Sequence, residues 1–209
     1  MLGPFAGPMR FQEVVASQEF SGAPGPFLLS SLALRLYTGP AFGGSWTNEL
    51  RLSTTSKSPD GLSDVFSENV GADESVVIQK GLHAFGFNYS QGLPTQFFDT
   101  IFTFDHPFLY DPRAGNLLVE MRTYSIFYPF PVFGSLDAVA HRGDSVSDLL
   151  ATSADATSGR LSIEGFIMQF GYTQVPEPST IALLVLTVLL AVLMRRSRHI
   201  QGAQTHFHD

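Results

Sequence analysis

The chain reads as all-β: a jelly-roll-like antiparallel β-sandwich followed by a single C-terminal transmembrane helix. Short apolar segments recur between turn residues at roughly the 8–12-residue spacing of a sandwich or barrel. Within them, apolar and polar residues alternate with the two-residue period of a half-buried strand. Near the end this pattern gives way to fourteen residues without a charge. Composition agrees, with 19 Phe, 19 Gly, 13 Pro and only two Lys among 209 residues, a balance that favours pleated strands and turns over helix bundles. A chain of this length can bury a full core without covalent staples, and it has no cysteine to make them.

Residues 1–10, MLGPFAGPMR, hold two prolines, two glycines and no apolar run, so they read as a disordered N-terminus and not as the apolar stretch of a secretory leader. The sandwich domain is expected over 11–174, with candidate strands at 32–37, 49–53, 75–79, 83–88, 97–104, 117–128, 136–140 and 161–172. In NELRLST, Leu50 and Leu52 share one face while Glu49, Arg51 and Ser53 share the other. FFDTIFTFD likewise places Phe98, Thr100, Phe102 and Phe104 together. Between these runs, SKSPDGLS, NVGADE, DPRAGN and SADATSGR supply the Pro, Asp, Asn and Gly that turns require. No segment before Pro176 keeps a helical period for three turns.

All acidic residues except Glu177 and Asp209, and all basic ones except Arg195, Arg196 and Arg198, lie before residue 175; that leaves the body 17 acidic against 9 basic groups, a net −8. Such a surface repels phosphate backbones, so nucleic acid is not expected as a partner. The densest polar cluster is DAVAHRGDSVSD, with Asp137, His141, Asp144 and Asp148. It lacks HxH or EF-hand spacing and reads as a solvated turn, with Gly143 giving the bend and Asp144 capping it. Asp60, Asp64, Asp73 and Glu74 sit in loops and are weak calcium candidates; neither a metal nor a cofactor is expected. Asp99, Asp105, Asp111 and Glu120 read as loop or face residues and not as a glycosidase pair, and no Ser occupies a G-x-S-x-G elbow. Trp46, Tyr37, Tyr110 and Tyr128 could offer rings to a sugar, but in a chain this rich in Phe most aromatics belong to the core. His206 to Asp209, HFHD, read as a frayed terminus. A non-enzymatic body is therefore expected.

Residues 181–194 rise about 21 Å as a helix, against roughly 30 Å of bilayer hydrocarbon. Drawing in Ser179 and Thr180 and letting Arg195 and Arg196 snorkel makes a short span, expected over 180–196. The arginines keep that end cytoplasmic and so place the acidic body on the far side of the membrane. Pro176 and Pro178 stop the helix from running back and hold Glu177 extended. A core helix fits poorly, because the segment is apolar all round and ends in arginines; a permanent and a processed anchor fit equally well.

Val175, Pro176, Glu177, Pro178, Ser179 and Thr180, the apolar span, and Arg195, Arg196 and Arg198 follow one another in fixed order. They resemble the PEP-CTERM sorting signal of Gram-negative, exopolysaccharide-producing bacteria, here at 175–198, with a polar cytoplasmic tail at 199–209. The resemblance implies an exosortase as partner, a membrane-embedded cysteine-dependent transpeptidase that cuts near residues 176–178. It further implies inner-membrane anchoring with the body outside, then a place at the cell surface or in the extracellular matrix, where polysaccharide is a further partner. This sequence departs from the family pattern twice: HIQGAQTHFHD continues past the arginines, and no export leader precedes the body, so Met1 is expected to lie inside a longer reading frame. The body also resembles, loosely, β-sandwich domains found ahead of this signal, through RFQEVVAS, LSTTSKSPDGLSDVFSENVGADESVV, PFLYDPRAGNLLVEMR and GDSVSDLL. That likeness implies a fold and a location, not a reaction.

Overall fold

A computed structural model of the chain describes residues 7–23, 25–38, 42–87, 97–98, 100–128, 135–175 and 186–189. The chain divides into two compact units, Met1–Gln174 and Val175–Asp209. The described strands are β1 (Met9–Val15), β2 (Phe27–Leu34), β3 (Leu36–Thr38), β4 (Phe42–Thr55), β5 (Ser75–Phe87), β6 (Thr100–Tyr110), β7 (Asn116–Phe127), β8 (Ser135–Leu136), β9 (Ala138–Ala140), β10 (Val146–Ala151), β11 (Arg160–Ser162), β12 (Glu164–Phe166) and β13 (Gln169–Gln174). They pair antiparallel, as β11-β10-β1-β7-β4-β5 in one sheet and β13-β2-β6 in another, with the ribbons β12-β9 and β3-β8 beside them. The all-β expectation therefore holds, with the described residues forming antiparallel sheets of six and three strands beside the two ribbons.

One core lies between the inner faces of the two sheets. Phe11, Leu50, Leu52, Val119 and Met121 from the larger sheet join Leu29, Leu32, Phe102, Phe108 and Tyr110 from the smaller. Alternation puts these residues on one face, and the aromatic content fills the space between. Thr100, Phe102 and Phe104 are all buried, as their shared spacing predicts.

The larger sheet is not half-exposed as NELRLST implies. Glu49 and Ser53, on the face opposite Leu50 and Leu52, are also buried. The long connection between β4 and β5 covers that face, and Leu62 and Phe66 from it pack on Val14, Leu118 and Leu149 in a second core. A period-two pattern reports one apolar face; it is silent about a loop that returns to cover the polar one.

Several boundaries move. β1 starts at Met9, so residues 9 and 10 belong to a central strand and not to a disordered terminus. β5 is one strand where two were expected, because Gly81 sits opposite Asn48 beside a register shift and marks an irregularity in the ladder, not a turn. The expected 32–37 strand divides into β2 and β3, and the 161–172 strand into β11, β12 and β13. β1 and β10 had no expected counterpart; both are buried along most of their length, which hides the alternation that reveals a strand.

Candidate functional site

Among the described residues β13 is an edge strand paired only with β2, and its last partner pair is Gln174 with Phe27. The chain is thus held by the sheet to within one residue of Val175, which is 38 % exposed. Of the residues singled out for sorting and membrane orientation, Pro176, Glu177, Pro178, Ser179, Thr180, Arg195, Arg196 and Arg198 lie outside the described residues. Within the expected 180–196 helix, residues 186–189 are described; they are helical, with Leu186, Val188 and Leu189 exposed. Among the described residues no helix is long and apolar enough to cross a membrane.

In the body, the calcium candidates are dispersed into separate structural duties. Asp60 has φ 59° at the third position of a turn in which the Gly61 amide donates to the Ser58 carbonyl; Pro59 presets the turn and Asp tolerates the left-handed region. Its Oδ2 accepts the Gly143 amide at 2.9 Å, fastening this turn to the one that Gly143 and Asp144 form. Asp73 accepts the Thr54 amide, Glu74 pairs with Arg51, and Asp64 is exposed. Among the described residues no three His, Asp or Glu side chains converge closely enough to hold a metal ion.

The DAVAHRGDSVSD cluster also separates. Asp137 pairs with Arg35 at 2.6 Å, while Asp144 caps its turn by accepting the amides of His141 and Val146. Asp99 lies outside the described residues; Asp105 accepts the Gln79 amide and Asp111 holds Arg113. Bonds from Arg113 hold the Asp111 carboxyl below its ordinary range.

Glu120 has the most elaborate surroundings. Arg10 meets it with two parallel bonds of 3.1 and 3.0 Å, Gln12 donates at 2.5 Å and Arg122 at 2.6 Å. Burial disfavours its charge, yet the bonds from Arg10 and Arg122 outweigh that and hold its pKa below the ordinary value. Arg10 also lies 4.4 Å over the Phe66 ring and donates to the Ala156 carbonyl, while Gln12 bonds Asn69 and the Phe66 carbonyl. This network pins the β4–β5 connection to the sheet.

The proposed sugar-facing rings are mostly internal. Trp46 is 0 % exposed, packed on Phe85 and Phe102, and Tyr110 is equally buried with its hydroxyl donating to the Gly115 carbonyl. Tyr128 is half-buried against Phe85, and Tyr37 is exposed. A cleft of about 480 Å³ is lined by Phe20, Phe98, Val139, Met168, Phe170 and Tyr172, among others.

Sequence reasoning missed one feature, a buried pair of acids. Glu13 (β1) is fully enclosed and stands opposite Asp148 (β10), which is 7 % exposed. Burial drives the Glu13 carboxyl well above its ordinary pKa, opposed by a bond from the Phe166 amide and reinforced by Asp148 and Asp144. Burial, then Glu164, pushes Asp148 up to about 7. The signal was present: FQEVV and VSDLL each put an acid between two inward apolar residues. Neither acid lines the cleft.

Against known proteins, residues 174–198 match the PEP-CTERM protein-sorting motif. No curated protein and no solved structure matches the chain.

Proposed function

We propose that this is an exported bacterial protein of the envelope or extracellular matrix, held in the inner membrane by its C-terminal helix until an exosortase cuts near residues 176–178. The sorting motif at 174–198, beginning on the last paired residue of β13, carries the reading. The body lies outside the cytoplasm and is structural or adhesive, without enzymatic activity. Support for that comes from the engagement of Asp105, Asp111 and Glu120, whose carboxylates are occupied by partners within the fold. Deleting residues 176–198 in an exosortase-bearing host tests the reading. Fractionation and intact mass should show the full chain shortened and the truncated one unprocessed and free of membrane; a truncated body that stays with membranes and is still trimmed would overturn it.

A second reading, a carbohydrate-binding or carbohydrate-cleaving module acting on exopolysaccharide, is supported by the aromatic cleft, where Phe20, Phe98, Phe170 and Tyr172 stand beside Glu19, Ser145 and Gln169. Titrating purified exopolysaccharide while following the Tyr172 ring resonances distinguishes the two: shifts that saturate favour this reading, and an unchanged spectrum favours the structural one.

A further inference from the structure

Glu13 shares the inner face of β1 with Phe11 and Val15, and Asp148 shares that of β10 with Val146. Their Cα atoms are register partners, so their side chains are cross-strand neighbours on one buried surface. Glu13 Oε2 accepts the Phe166 amide of β12 at 2.8 Å, but no donor reaches Glu13 Oε1 or Asp148 Oδ1. Two enclosed carboxyl oxygens without donors are costly unless a proton lies between the pair.

Among the described residues no cation pairs with either acid. β7 presents Val119 opposite Glu13, while Arg10 and Arg122 belong to the other face of the sheet, with Glu120. β11 presents Ser162 opposite Asp148 and, two register pairs further on, the exposed Arg160 opposite Leu150. β12 contributes the charge of Glu164 and the β9–β10 turn that of Asp144, both negative; His141 and Arg142 in that turn are exposed. β9, Ala138–Ala140, contributes nothing titratable.

β12 lies tightly on this pair. A Cβ added to Gly165 would collide with Val146 and come within 3.4 Å of the Glu13 carboxyl carbon, so the absent side chain lets the ribbon backbone approach. β12 pairs with β9, and Val139, Val146, Ile167 and Met168 of this region form one wall of the cleft.

We infer that Glu13 and Asp148 share a proton and act as a pH-operated latch, closing the β9–β12 ribbon against the sheet in acid and releasing it, with that wall of the cleft, when both are ionised. Charging both places two carboxylates side by side in a buried site with two further acids nearby. Separation into solvent relieves this, and the exit is through the ribbon. The sign follows from carboxyls that bind protons more tightly in the folded chain: the latch is fully closed below the ordinary carboxyl range and lost as pH rises through about 7.

Amide hydrogen exchange on the full chain in detergent micelles tests this, compared at about pH 5 and about pH 8.5 after correction for intrinsic rates. Protection of Phe166 and Val139 should fall about tenfold or more at the higher pH, while that of Leu50 in the core stays constant. Asp148→Asn, which keeps the shape and removes one charge, should retain protection at both values, as should Glu13→Gln if it folds. Wild-type protection that does not change with pH would overturn the inference, as would a loss that persists undiminished in the Asp148→Asn chain.

Discussion

Arg10 and Glu120 meet in a two-pronged ion pair on neighbouring strands, beneath the connection that carries Phe66. The pair ties together three things distant in sequence: β1, β7 and the β4–β5 loop. Its value lies in completeness, since each buried polar atom in this network that stays unpartnered would carry its full desolvation cost.

Removing one member should therefore be severe. Arg10→Ala leaves Glu120 enclosed with Arg122 and Gln12 only, and is expected to lower unfolding stability by about 3–5 kcal/mol. Arg113→Ala, which breaks the exposed, solvent-screened pair with Asp111, should cost far less. Urea midpoints of the two variants measure the difference; equal midpoints would contradict the assignment.

The pH dependence of global stability should be a dome. Glu120, with its lowered pKa, contributes stability that is present above the ordinary carboxyl range and lost as pH falls through it. Glu13 and Asp148, with raised values, contribute stability that is lost as pH rises toward and past about 7. Denaturant midpoints should thus peak in mildly acidic solution, and Asp148→Asn should flatten the alkaline limb while leaving the acid limb in place.

Trp46 is the chain's one tryptophan and is wholly buried. Its emission should be blue-shifted in the folded protein, resistant to acrylamide and unmoved by added polysaccharide, moving red only on unfolding. A sugar-dependent change in that emission would place the ring at a binding surface, contrary to its packing on Phe85 and Phe102.

All thirteen described strands end by Gln174, so a chain ending there should keep the body's fold. Its thermal midpoint is expected within about 2 °C of the body transition in the full chain, because every residue of the two described core clusters lies before residue 175. A much lower midpoint would mean that residues after 174 take part in the core.

The amino-acid order alone determined the strand character of the body, most of its turns and the sorting motif, since each rests on neighbours a few residues apart: alternation in β4 and β6, Pro59 ahead of Asp60, Pro-Glu-Pro ahead of an apolar run. It did not reveal β1 and β10, whose burial on both faces removes the alternation. Only tertiary structure decided that Glu49 and Ser53 are covered, that Asp60 clamps a turn where a calcium ligand was conceivable, and that Trp46 is core. It also decided that Glu13 and Asp148, 135 positions apart by their residue numbers, become neighbours. Burial and the pairing of charges depend on which strands the sheet sets side by side, and no local pattern encodes that adjacency.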